Sequence, residues 1–461
     1  MTETLPTRDF DVALIGGGAG GVLCALHLLR LAATPLRIAL VEPASTLAQG
    51  VAYATRHAEH LLNVPARRMS AFDDRPDDFV DFLVEGEGES ARATLAVSYA
   101  ERRRYGDYLR ERLAQARAAS PAILEVHTDR VLGIEPGQGH FELALESGPR
   151  LRATAVLVAV GNNPRPLPAR GASGLLPGTV LEAWDFDAIK AIPGDAEVCI
   201  AGSGLSMVDT VLSLAANGHR GRLHVLSRHA LLPLPHAQVH AGAGLDAAAL
   251  LPLSLRQRMR ALRDGAREAA AQGLPWQAVL ETVRPQVQAL WRTLSREDQR
   301  RFLRHVVRYW DVHRHRIAPQ VHARLQQLQD SGQLRLHRGR LQTVAAEGGR
   351  VRVSLTLRDR RSLELDADRV VNATGVEMRA QLMRNPLLSD LLGKGLARPG
   401  PHGIGLDSSD EGELVDARGV ILPGVLVLGS LRIGSLWESI AVPELRGQAE
   451  RAARRLLAQT G

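Results

Sequence analysis

The chain of 461 residues is 45% hydrophobic and 23% charged, ordinary values for a globular protein with room for two or three cores. No apolar run is long enough to cross a bilayer, and the polar stretch Met1–Asp9 has neither the basic nor the apolar region of a secretory signal, so a cytoplasmic location and no membrane partner are expected. The net charge of +7 is carried almost wholly by arginines interleaved with acids, lysine occurring only at 190 and 394; with no recognition motif beside it, the charge reads as a solvated surface biased toward anionic ligands, not a nucleic-acid face.

The first predicted strand is Asp11–Ile15. Gly16-Gly17-Gly18-Ala19-Gly20-Gly21 follows, then an apolar helix over Val22–Leu31 and a second strand, Arg37–Val41, ending at Glu42. Strand, glycine turn, helix, strand and acid make a complete βαβ unit. Gly16, Gly18 and Gly21 fit G-x-G-x-x-G: the first permits the tight turn, the second lets a pyrophosphate approach the backbone, and the third lets helix and strand pack closely. The pyrophosphate then sits at a helix N-terminus, against the N–H groups around Ala19 and Gly20. Glu42 is placed to accept hydrogen bonds from ribose hydroxyls. Further on, Asn63, Val64 and Pro65 turn the chain after an apolar pair; Asn63 either faces a cofactor ring or substrate, or caps the turn.

Leu124–Gly161 reads as short alternating strands closed by a buried strand and a glycine. A second βαβ unit begins at Glu197–Ala201, with Gly202-Ser203-Gly204 as its turn, a helix over Leu205–Ala216 and a strand Leu223–Leu226 followed by Ser227-Arg228. Its third motif position is Met207, so the match is poorer. Arg228, where an acid would select NADH, is placed to meet the 2′-phosphate of NADPH; its alternative is a solvated loop residue. Residues 245–328 turn to long helical stretches rich in Arg, Gln, Ala and Leu. Leu334–Gly375 then repeats the plan of 124–161 and ends in Asn372-Ala373-Thr374-Gly375, with Thr374 and Gly375 expected among the cofactor-binding residues. Val425–Leu428 returns as a strand with Gly429 and Ser430 at its end, and a last helix runs from near Trp437 to about Leu457, starting instead near Ala441 if Pro443 belongs to its first turn.

The expected fold is α/β: two nested Rossmann-like dinucleotide-binding domains of the three-layer ββα type with a helical insertion. The predicted boundaries are 1–165 and 366–461 for an FAD-binding domain, 186–244 and 329–365 for an NAD(P)-binding domain, and 245–328 for the insertion. FAD suits the first unit because the unit is N-terminal and the strand ending at Gly429-Ser430 returns to close it. Ser430 stands where an Asp is usual. Cys24 and Cys199 show no CxxC or metal-like spacing, which excludes a redox dithiol and leaves oxygen, an organic acceptor or a partner protein to take electrons from the flavin.

Several stretches carry a family resemblance: GGGAGG at 16–21, HLLNVPARRMSAF at 60–72, RRYGDYL at 103–109, GSGLSMVDTVLSL at 202–214, WDVHRHR at 310–316, DRVVNATG at 368–375 and GSLWESIAVPELR at 434–446. With them the chain resembles the bacterial FAD/NAD(P)-binding family of the YdhS type, which is related to urate hydroxylase and aspartate N-monooxygenase flavoproteins. The resemblance implies an FAD-dependent monooxygenase using NADPH or NADH, molecular oxygen and a small nucleophilic substrate. Urate is the leading substrate and an amino-acid amine the alternative; a flavin reductase or electron transferase serving a partner protein, and a catalytically idle flavin sensor, are the other readings. A Baeyer–Villiger enzyme is disfavoured, since no His stands between Gly178 and Trp184. The substrate candidates are Trp310, His313, Arg314 and Arg316 on the insertion, where paired arginines suit a planar anion, and Trp437 at the expected start of the last helix. No catalytic residue and no oligomeric state is read from the sequence, and no metal site is expected.

Overall fold

The computed structural model describes residues 8–239 and 242–460, so residues 1–7 of the polar N-terminal stretch lie outside the described residues. The chain forms β1 (Arg8–Ile15), β2 (Arg37–Val41), β3 (Ile123–His127), β4 (Val131–Pro136), β5 (Phe141–Leu145) and β6 (Arg150–Val158). It then makes β7 (Val180–Glu182), β8 (Val198–Ala201), β9 (Leu223–Ser227), β10 (Leu334–Glu347), β11 (Arg350–Leu357), β12 (Ser362–Ala367) and β13 (Arg369–Asn372), and finishes with β14 (Glu413–Val415) and β15 (Ile421–Val427). Two compact units result. One holds the chain up to Arg56, Pro65–Asn163 and the chain from Glu377; the other holds His57–Val64 and Pro164–Val376.

In the first unit the sheet order is β14-β15-β6-β1-β2-β3, with the β4–β5 hairpin attached to the first half of β6. The pairs β3–β2, β2–β1, β1–β6 and β6–β15 are parallel. Parallel strands covered on both faces must be apolar throughout, not alternating. Val12, Ala13 and Leu14 of β1 and Ile38, Ala39 and Leu40 of β2 are accordingly fully buried. Helix Ala19–Leu31 connects β1 to β2 and is buried from Gly21 to Leu29.

The second unit repeats this plan. Its sheet runs β12-β11-β10-β9-β8-β13-β7, parallel from β10 to β7. Strand β10 is long enough to do two things: its first half pairs parallel with β9 and its second half antiparallel with β11. The correspondence reaches single hydrogen bonds. Gly16 N–H donates to Val41 O and Ala159 N–H to Ile15 O in the first unit; Gly202 N–H donates to Leu226 O and Ala373 N–H to Ala201 O in the second. The weak sequence repeat is thus a repeated sheet. Between β9 and β10 the insertion is helical, from Leu255–Ala271 to Pro319–Asp330, with a π turn at Phe302–Val306 between helices Arg296–Arg301 and Val307–Arg314.

Two expectations are corrected, and the choice left open for the start of the last helix is decided. Residues 366–376 belong to the second unit, because β12 and β13 pair inside its sheet, so the boundary expected at 365 moves to Val376. Residues 57–64, expected in the FAD-binding domain, also join the second unit. The fully buried His60 fixes them there: its Nε2–H donates to the Asp209 carbonyl at 2.9 Å and lies 2.9 Å from Ser213 Oγ, both on helix Leu205–Ala216. The last helix spans Val442–Thr460, with Pro443 in its first turn, where its missing N–H has no helical partner to lose. Trp437 and Glu438 therefore do not open it. No helix among the described residues is long and apolar enough to cross a membrane.

Candidate functional site: two nucleotide turns

The glycines of the first turn have separable causes. Gly16 sits at φ +106°, and a Cβ there would lie 2.4 Å from the Ala159 carbonyl oxygen; a Cβ at Gly21 would lie 1.8 Å from the Gly16 oxygen. Both are required by the chain itself. Gly18 is not. Its φ of −68° and ψ of −173° are extended backbone open to any residue, and a Cβ there meets nothing nearer than Gly50 Cα at 3.9 Å. Gly18 is also the N-cap of helix Ala19–Leu31, without a side-chain cap and with no acid in the first turn. Helices starting after Asp185, Ser295 and Asn385 do take side-chain caps. The first turn thus leaves a bare cradle with outward N–H groups, suited to a pyrophosphate.

The second turn repeats the arrangement. Gly202 has φ +114°, and a Cβ there would lie 2.2 Å from the Ala373 oxygen. Gly204 is extended (φ −92°, ψ −162°), uncapped, with nothing within 4 Å of a Cβ. Met207 replaces the third glycine and is fully buried.

The strand ends differ. Glu42 Oε2 accepts from Gly17 N–H at 2.6 Å and Oε1 from Ala44 N–H at 3.0 Å. These bonds fix the carboxylate beside the turn and leave it lone pairs for ribose hydroxyls. At the matching place in the second unit stands Ser227, whose Oγ lies 2.8 Å from Ser203 Oγ and accepts from Ala230 N–H at 3.0 Å, while Ser203 Oγ–H donates to Leu231 O. Arg228 follows it, partly exposed and in no ion pair among the described residues.

Thr374 and Gly375 stand beside the second turn rather than the first. Their neighbour Asn372, which sequence reasoning did not single out, organises them. Its Oδ1 accepts from Thr374 Oγ1 at 2.7 Å, and its Nδ2 donates to Arg165 O at 2.7 Å and to the Glu182 carboxylate at about 3 Å. The available signal was an Asn closing the strand directly after the buried pair Val370-Val371. Asn63 is held through its backbone, its carbonyl accepting from His236 Nε2–H at 2.9 Å; Val64 is buried.

The strand returning to the first unit ends in a locked turn. Gly429 (φ +72°) donates to Gln448 Oε1, its carbonyl accepts from Ser439 Oγ at 2.9 Å, and Gln448 Nε2 donates to Ser439 O at 2.8 Å. Ser430 Oγ donates to Gly161 O at 3.1 Å. Ser439 and Gln448 are both buried; Ser439 lies within the 434–446 stretch without being singled out, and Gln448 lies outside every stretch of the family resemblance. Glu438 N–H donates to Leu436 O at 2.8 Å, closing a γ-turn on Trp437 at φ +63°, ψ −63°. That conformation is rare and strained for a bulky side chain.

The insertion candidates divide. Arg316 is 4% exposed and ion-paired with Glu281, which leaves it poorly suited to clamp an anion. His313 packs edge-on against Trp276 at 4.8 Å and donates from Nδ1 to Tyr309 O at 2.7 Å. Trp310 meets Phe302, and Arg314 is buried. These side chains hold the insertion together. Cys24 and Cys199 are buried and free; burial pushes both thiols up, Cys199 to about 12, and makes them poor nucleophiles.

A family model described as FAD-NAD(P)-binding matches residues 13–163, the first turn included. No curated protein sequence matches the chain. Among solved structures, the ornithine N-hydroxylase of Kutzneria sp. 744 with reduced FAD, NADP+ and L-ornithine is similar at a TM-score of 0.70 and 16% identity, covering 99% of this chain and 100% of that one. L-lysine 6-monooxygenase from Pseudomonas syringae is similar at 0.64 and 18%, covering 98% and 99%. The bacillithiol disulfide reductase of Staphylococcus aureus is similar at 0.59 and 13%, also covering 98% and 99%. Residues 13–163 thus match an FAD-NAD(P)-binding model, and the chain as a whole shares the fold of the ornithine N-hydroxylase and L-lysine 6-monooxygenase structures.

Proposed function

We infer that the protein is an FAD-dependent, NADPH-oxidising monooxygenase that hydroxylates the primary amine of an amino acid or a related small amine. One observation carries the two-nucleotide reading. Gly18 and Gly204 are glycines that neither backbone conformation nor packing requires, each at the bare N-terminus of a helix. Close approach of a ligand to both turns accounts for them.

Amine hydroxylation is preferred to the urate reaction expected first. Two of the structures sharing the fold over their whole length are N-hydroxylating enzymes. The urate reading leaned on a paired-arginine clamp, and the burial of Arg316 on Glu281 weakens that clamp. A disulfide reductase, which the fold also serves, would need an accessible thiol pair, and both cysteines here are buried and protonated. Of the substrate candidates, Trp437 is best supported, because a strained turn persists only where its surroundings over-determine it.

FAD, when bound, supplies hydride acceptance and the activation of oxygen. The balance is one NADPH, one proton, one O2 and one amine giving NADP+, water and a hydroxylamine; an N–O bond replaces an N–H bond. Glu42 and the first turn would hold the FAD adenosine and pyrophosphate, and Gly202, Gly204 and Arg228 would hold NADPH. An alkyl ammonium must lose its proton before its nitrogen lone pair attacks, so the rate should climb with pH toward the amine's own pKa, about 10.4 for a free lysine-type amine.

The test follows NADPH, oxygen and hydroxylamine together in a panel of amino acids, diamines and urate. One hydroxylamine per NADPH and per oxygen with an amine supports the reading. Urate consumed one for one with oxygen restores the first expectation. NADPH oxidation that yields only hydrogen peroxide throughout the panel refutes the amine reading.

A further inference from the structure

The second nucleotide turn lies beside an accumulation of positive charge. Arg228 follows Ser227 at the end of β9, and β10 runs alongside with Arg338 opposite Ser227 in register. Arg340 lies two residues on, on the same face of the strand. The helical insertion adds to this edge. The Tyr309 ring lies 5.8 Å from the His229 ring, and Arg308 immediately precedes Tyr309. Arg308 is 44% exposed and steadied by Asp311 at 3.0 Å. The π turn just before this helix accommodates one extra residue and so rotates the following side chains by about 100° relative to an unbroken helix.

Charge on this sheet is balanced elsewhere. Arg350 pairs with Glu197 and Asp368, and Arg352 with Glu347, Glu364 and Asp366. Around Arg228 it is not. Arg228, Arg338 and Arg340 form no ion pair among the described residues. Partial burial lowers the Arg228 guanidinium, and the like charges of Arg308, Arg340 and Arg165 lower it further, with no carboxylate acting on it. Burial, Arg228, Arg338 and Arg308 together lower the His229 imidazole. Such repulsion disfavours the folded chain until an anion neutralises it. Tyr309, at 45%, is among the exposed large hydrophobic side chains.

We propose that the helical insertion completes the NADPH-selecting surface: Arg308 joins Arg228 and Arg338 on the 2′-phosphate, while Tyr309 and His229 flank the adenine. This rests on the second turn being the nicotinamide nucleotide site. A phosphate dianion accepts charge-assisted forks from several guanidinium groups at once. NADH offers hydroxyls in its place and leaves the arginines facing one another. The adenine is common to both nucleotides, so the rings contribute affinity and the arginines contribute selectivity.

The test uses the full-length, FAD-loaded protein, titrated anaerobically with NADPH and with NADH, and with adenosine 2′,5′-bisphosphate and 5′-AMP as competitors. Arg308→Ala should weaken NADPH and the bisphosphate about tenfold and leave NADH and AMP within about twofold. Tyr309→Ala should weaken all four alike. Both side chains are exposed, so FAD content and melting temperature should match the wild type and report on folding. Equal effects of Arg308→Ala on both nucleotides, or none, overturn the proposal while the wild type is still reduced by NADPH. Unchanged binding in Tyr309→Ala overturns the adenine platform. A wild type that neither nucleotide reduces overturns both this proposal and the functional reading beneath it.

Discussion

Gly18→Val is expected to fold and to lose its FAD. A Cβ at this position lies in open space, with Gly50 Cα at 3.9 Å its nearest neighbour, and the backbone there is extended. The chain bears only the cost of a poor N-cap, about 1 kcal/mol. A bound pyrophosphate has no such freedom, because it must reach the N–H groups that a valine side chain would cover. Affinity should fall on the order of a hundredfold or more, about 3 kcal/mol of steric conflict. The protein should purify colourless with a circular dichroism spectrum like that of the wild type. Gly21→Ala is the contrasting control: its Cβ would stand 1.8 Å from the Gly16 carbonyl oxygen, so that variant should lose its fold and not merely its cofactor. A folded Gly18→Val protein with stoichiometric FAD would remove the first turn from the cofactor site.

Gly204→Val should give the complementary result, a yellow protein that NADPH cannot reduce. A Cβ at Gly204 has nothing within 4 Å, and the first turn, proposed for FAD, belongs to the other compact unit. FAD content and melting temperature should therefore stay near wild type. The rate of flavin bleaching at fixed NADPH should drop on the order of a hundredfold, by the same steric argument. Dithionite, which needs no nucleotide site, should still bleach the flavin at once. Normal bleaching by NADPH would show that the nucleotide binds away from this turn.

Much of this arrangement was legible in the sequence because its causes are local. A tight turn needs glycine at Gly16 and Gly202, a buried parallel strand needs an unbroken apolar run, and an acid or an arginine at a strand end declares itself by position. The repeat of 124–161 in 334–375 likewise foreshadowed two similar sheets. What escaped depends on distant partners. Nothing near 57–64 marks it as part of the second unit, since the tie is His60 reaching Asp209 and Ser213, about 150 residues on. The boundary at 376 is decided by β13 entering the sheet between β8 and β7, a matter of pairing rather than composition. Ser439 and Gln448 look like ordinary polar residues until the Gly429 turn folds onto them. Arg316 looked like an anion ligand because Glu281, its partner, is 35 residues away.

The central claim is that one chain holds both the flavin and its reductant. It is tested most directly by anaerobic titration of the purified wild-type protein with NADPH, read at the visible flavin band. The account predicts that the yellow colour bleaches with one NADPH per bound FAD and returns when air is admitted. A protein that carries FAD, is bleached by dithionite and stays oxidised under excess NADPH and NADH would contradict it.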